Sequence, residues 1–118
     1  MRILHVEDDD DTRTLVAHVL QAEGWDVVSV DKTSAAMRLA LAGEFDLYLI
    51  DNRIEGDTDN ALCLGLRSLD QHTPILFYSG AVFPSDVESA FASGAQGYLK
   101  KPCTPEELVH EILKLTRR

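Results

Sequence analysis

An α/β fold with a doubly wound, five-stranded parallel sheet is predicted by three features of the sequence. Five short apolar runs alternate with five stretches of helical period along the whole chain. The runs at 47–50 and 75–78 show no polar alternation, as expected of strands covered on both faces by helices. Glycines or turn formers separate the segments, and right-handed crossovers between parallel strands then put helices on both sides of the sheet. At 118 residues the chain is expected to form a single domain over 1–118, large enough for a real core.

Residues 3–6 form the first apolar run, and His5 within it reads as a core histidine. Five carboxylates follow in a row, Glu7 to Asp11. From Thr12 the period becomes helical, with Leu15, Val16, Val19 and Leu20 on one face and Gly24 as the stop. Asp9, Asp10 or Asp11 suits the cap of this helix. Glu7 and Asp8 are left at the strand end with no capping task. Residues 25–30 alternate and are rich in β-branched side chains, which suits a strand near a sheet edge. A second helix is predicted over 33–42, closed by Gly43, with Met37, Leu39, Ala40 and Leu41 available for packing. The third strand, 47–50, ends abruptly in Asp51. After the polar segment 52–60 comes a third helix carrying Leu62, Leu66 and Leu69.

Residues 74–79 are the fourth strand, ending in the hydroxyl of Ser79. The next helix starts near Pro84 or Ser85 and stops at Gly94, with Val87, Ala90 and Phe91 as its apolar face. Residues 97–100 make a short fifth strand, closed by Lys101-Pro102. Thr104, Pro105 and Glu107 then have the spacing of a capping box, and Leu108, Ile112 and Leu115 run along the last helix.

A net charge of −9 argues against direct binding of nucleic acid or of an anionic membrane, because both require a basic face. Cys63 and Cys103 lack the spacing of a redox pair or a zinc site and read as free thiols. With no apolar leader and no stretch of spanning length, a cytoplasmic location is expected.

In a parallel sheet all strands have their carboxyl ends on one rim, where α/β folds bind ligands. Glu7, Asp8, Asp51, Ser79 and Lys101 all stand at strand ends and should face one crevice. The periodicities leave the strand order open. With the flavodoxin-like order 2-1-3-4-5, three of these carboxylates would crowd together and call for a cation, for which Mg²⁺ with its retained waters is suited. The lysine and the hydroxyl would then clamp a phosphoryl group on Asp51 acting as nucleophile.

The segments 3–9, 46–51, 74–80 and 94–102, taken in their order and spacing, resemble the receiver domain of two-component response regulators, the CheY-like family, over essentially the whole chain. The resemblance implies that order of strands and makes Asp51 the phosphoacceptor. It implies Glu7, Asp8 and Asp51 as metal ligands, joined by the backbone carbonyl of Arg53, with Mg²⁺ as the cofactor. It also implies Ser79 and Lys101 as phosphoryl contacts, and Ser79 and Tyr98 as the switch that reshapes the surface of helix four, strand five and helix five. The implied donor is a histidine kinase or a histidine phosphotransfer protein. The downstream protein or output domain is unspecified, and homodimerisation is one outcome that phosphorylation could have. Such a domain assists its own phosphorylation and dephosphorylation rather than turning over a substrate.

The chain departs from the family pattern after the acceptor, where Glu55 replaces a usual proline and no Asp-Gly pair follows. Arg53 and Ala81 occupy positions that in the family tune water access to the phosphoryl group, and Arg53 is expected to overhang the site and slow hydrolysis. Two other readings compete. An Asp-nucleophile phosphohydrolase would need a second Asp where Arg53 stands, and an EF-hand is excluded by Ala61 and Ser68. A phosphate-independent interaction module of the same fold would keep the architecture and lose the chemistry.

Overall fold

The computed structural model describes residues 1–51, 54, 56–57, 60–80 and 83–117. Strands and helices alternate in the predicted manner. They are β1 (Arg2–Val6), α1 (Asp10–Gln21), β2 (Asp26–Val30), α2 (Thr33–Ala42), β3 (Leu47–Ile50), α3 (Ala61–Leu69), β4 (Ile75–Ser79), α4 (Pro84–Ala92), β5 (Gly97–Lys100) and α5 (Pro105–Thr116). The five strands are parallel and lie in the order β2-β1-β3-β4-β5. The chain thus crosses back over β1 between β2 and β3, and this reversal places the ends of β1 and β3 side by side.

Strand alternation divides the interior into two cores. Leu4, Val6, Tyr48, Ile50, Ile75 and Phe77 pack on one face with Ala36 of α2, Leu62 and Leu66 of α3 and Ala90 of α4. Ile3, Leu47, Leu49 and Leu76 pack on the other with Val16 and Leu20 of α1 and Leu108 and Ile112 of α5. All four residues of β3 are buried, which accounts for its unbroken apolar run. Gly97 is fixed by this packing, because a Cβ there would lie 3.0 Å from both Leu115 Cδ1 and Leu76 Cδ1. α5 therefore rests directly on the β5 backbone.

The helix starts follow their local chemistry. Asp9 caps α1 by accepting from the Thr12 amide at 2.9 Å. Thr104 and Glu107 complete a capping box at α5. At the opposite end of the sheet the Arg67 guanidinium donates to the carbonyls of Asp70, Thr73 and Gly94 and to Gln96 Oε1, tying α3 to the turn before β5. Periodicity placed Leu15, Leu41, Leu69 and Phe91 among the packing residues, yet they are 64%, 69%, 43% and 46% exposed. Leu15 and Phe91 stand one residue, about 100° around the helix, from the buried Val16 and Ala90.

Leu76→Ala is expected to cost about 2–5 kcal/mol of stability, because Leu76 is fully buried between β5 and α5. Leu41→Ala, at an exposed position, should cost within about 0.5 kcal/mol. Urea unfolding of both variants beside the wild type measures the difference, and equal losses would contradict this division of the core.

Candidate functional site

The carboxyl-terminal rim is built by backbone hydrogen bonds that carry the sheet one residue past its strands. Glu7 N donates to Val30 O at 3.0 Å, Asp51 N to Val6 O at 3.1 Å and Lys101 N to Ser79 O at 2.9 Å. Because Val6 is paired with Ile50, Glu7 and Asp51 emerge as neighbours. Alternation continues past the strand ends, so Glu7, Asp51 and Lys101 belong to the α1/α5 side, whereas Ser79 and Tyr98 share parity with Phe77 on the α4 side.

Glu7, Asp8 and Asp51 form a three-carboxylate cluster in which one oxygen from each lies within 4.8 Å of the others. Glu7 is 1% exposed and Asp51 9%, while Asp8 is half-buried at the mouth. The Lys101 ammonium enters the cluster from β5, 2.5 Å from Glu7 Oε1 and 3.5 Å from Asp51 Oδ2. Arg13, one turn into α1, donates to the Glu7 carbonyl at 2.9 Å and pairs with Asp10. Ser79 is fully buried at the end of β4. Tyr98 stacks on Phe77 with ring centroids 5.7 Å apart, at the edge of the α4-side core. The predicted carbonyl ligand Arg53 lies outside the described residues, as do Glu55 and Ala81.

The electrostatics of this rim are those of crowded anions in a partly dry place. Burial first, and then contact with Asp51, push the Glu7 carboxyl up to about 7, although Lys101 pulls the other way. Burial, followed by the positive charges of Lys101 and Arg13, lowers the His5 imidazole to about 4. His5 is therefore neutral at ordinary pH, with Nδ1 3.4 Å from Ser29 Oγ, and it is a core residue as its sequence position suggested. Hard oxygen donors of this kind, one of them facing solvent, fit a divalent cation that keeps some of its waters. Sequence reasoning found Glu7, Asp8, Asp51, Ser79 and Lys101, all of which the fold brings to one rim. It missed Arg13, whose only trace was a cation one turn after an acidic cap. It also missed Tyr78, whose ring faces Lys101 and which looked like any strand aromatic.

The fold and this rim together define a class: a flavodoxin-like α/β domain with an acidic cluster and a lysine at its switch point. The response regulator receiver domain matches residues 3–113, and the chain belongs to that family. CtrA, a cell cycle transcriptional regulator of Caulobacter vibrioides, is 30% identical over 118 residues, covering all of this chain and 51% of the regulator. The DNA-binding response regulator MtrA of Mycolicibacterium smegmatis is 32% identical over 117 residues, covering 99% of this chain and 51% of its own. The chain thus spans about half the length of these relatives. Among solved structures, the chemotaxis protein CheY4 of Vibrio cholerae superposes with a TM-score of 0.90 at 28% identity, over 97% of each chain. The receiver domain of a sensor histidine kinase from Pseudomonas aeruginosa PAO1, which has a magnesium ion coordinated in its active site cleft, gives 0.90 at 25% identity, over 98% of this chain and 96% of its own.

A carboxyl whose folded pKa is raised from 4.5 to about 7 binds protons more tightly in the native state than in the unfolded one, so it disfavours folding progressively as pH rises through that window. Without divalent cations, Glu7→Gln should therefore gain stability relative to the wild type as pH rises from 4.5 to about 7. Urea unfolding in chelator across that range checks it, and a difference that stays constant with pH would contradict the burial argument.

Proposed function

We propose that this domain takes a phosphoryl group onto Asp51 from a histidine kinase or a histidine phosphotransfer protein and passes the event on by a change of surface. One observation carries the reading: a nearly buried Asp51 carboxylate shares its rim with two further carboxylates and lies 3.5 Å from the Lys101 ammonium. Glu7, Asp8 and Asp51, with the Arg53 carbonyl, would hold Mg²⁺, which when bound supplies positive charge to phosphoryl oxygens.

The residues divide the remaining work. An Asp51 oxygen attacks phosphorus, the bond from phosphorus to the donor nitrogen breaks, and the electron pair leaves with the donor imidazole. Lys101 compensates the charge on a phosphoryl oxygen, and this requires it to share itself between Glu7 and the new group. The Ser79 hydroxyl, on the neighbouring strand end, offers the other contact. Drawing Ser79 inward would open room on the α4 side, into which Tyr98 turns from its stack on Phe77. The surface of α4, β5 and α5 then differs between the two states, and an output domain, a separate protein or a second copy reads it. Among the described residues no helix is long and apolar enough to cross a membrane; the cytoplasmic setting is proposed from the signalling role of the family.

Incubation with a small-molecule phosphodonor and Mg²⁺ should add the mass of one phosphoryl group, and Asp51→Asn or chelation should abolish the gain. Intact mass spectrometry reads both, with beryllofluoride binding as a check against fast hydrolysis. Absence of an adduct by both routes would overturn the acceptor role and favour a phosphate-independent interaction module.

A further inference from the structure

Lys101 has a third neighbour besides its two carboxylates. Its ammonium lies 5.2 Å from the ring centroid of Tyr78, the strand residue just before Ser79. Strand alternation explains the meeting: Ser79 faces the α4 side, so Tyr78 faces the α1/α5 side, onto which Lys101 also emerges beyond β5. Lys101 carries a flexible four-carbon stem and is 22% exposed, so the two carboxylates alone leave its ammonium an outward path to water. The half-buried Tyr78 ring packs against the α1/α5-side core and gives the ammonium a further contact beside its two carboxylates. A lysine ammonium over an aromatic face is attracted by the ring's quadrupole, more so where water is partly excluded. Burial first, with Cys103 beside the hydroxyl next, pushes the phenol up to about 12, and the ring stays a neutral face at any pH at which the domain works.

We propose that Tyr78 is a positioning residue that holds the Lys101 ammonium over the rim between Glu7 and Asp51 and so sets the rate at which Asp51 takes its phosphoryl group, an inference that rests on the acceptor reading above. When the incoming group draws the ammonium away from Glu7, the ring keeps it within reach of the phosphoryl oxygens instead of releasing it to solvent. The contact is made by the ring face and not by the hydroxyl, so phenylalanine should replace it and an aliphatic residue should not.

The test compares rates of Mg²⁺-dependent adduct formation, by intact mass with a small-molecule phosphodonor, for wild type, Tyr78→Phe, Tyr78→Leu, Lys101→Met and the double variant of the last two. Tyr78→Leu should be about fivefold slower, as expected for loss of a partly desolvated cation–π contact, and Tyr78→Phe should restore the rate to within about twofold. In the Lys101→Met background, Tyr78→Leu should make no further difference. As a readout independent of the chemistry, the Lys101 ε-methylene protons should show an upfield ring-current shift in wild type and Tyr78→Phe that vanishes in Tyr78→Leu. A wild-type rate in Tyr78→Leu, or the same slowing with and without Lys101, would overturn the proposal. So would unshifted Lys101 protons in the wild type. Failure of the wild type itself to take a phosphoryl group is failure of the acceptor reading, and it shows before any Tyr78 variant is compared.

Discussion

The Lys101 ammonium, seated between Glu7 and Asp51, is the interaction on which the rim depends. Carboxylates that close repel one another, and burial of Glu7 worsens the repulsion by removing water that would otherwise screen it. Lys101 offsets part of this cost, though not all of it, since the Glu7 carboxyl remains well above its ordinary range. A site left in this partly compensated condition favours whatever cation can enter it. The same residue would meet both needs: a counterion before phosphoryl transfer and a phosphoryl contact after it.

Parallel topology makes that arrangement possible with few residues. Crossing from β2 back over to β3 puts the ends of β1 and β3 side by side, so the adjacent Glu7 and Asp8 meet Asp51 from more than forty residues away. The pairing of Ser79 with Lys100 then brings β5 to the same rim and Lys101 with it. Alternation along β4 gives the two faces different tasks. Tyr78 steadies the lysine on the α1/α5 side, while Ser79 and Tyr98 face α4, where the proposed switch is read.

Much of this was legible in the sequence because it is written in local periods. The unbroken run at 47–50, the capping box at Thr104 and the stop at Gly43 each follow from a few adjacent residues, and their helices and strands fall where expected. The acids at Glu7 and Asp8 stood out because any of Asp9, Asp10 and Asp11 could cap α1, leaving those two at the strand end without that task, and the cap is Asp9. The exposure of Leu15 and Phe91 was illegible, because periodicity marks an apolar stripe but not how far the neighbouring layer reaches. Nor could period alone give the strand order, which came by resemblance and is observed here. Tyr78 over Lys101 was hidden for the same reason: it joins two strands whose adjacency exists only once the sheet has formed.

If the rim is a cation site that Asp51 completes, calorimetric titration with Mg²⁺ should find one ion bound per chain, with affinity sharply reduced in both Asp8→Asn and Asp51→Asn. Binding that is unchanged in Asp51→Asn, or no binding by the wild type, would contradict it.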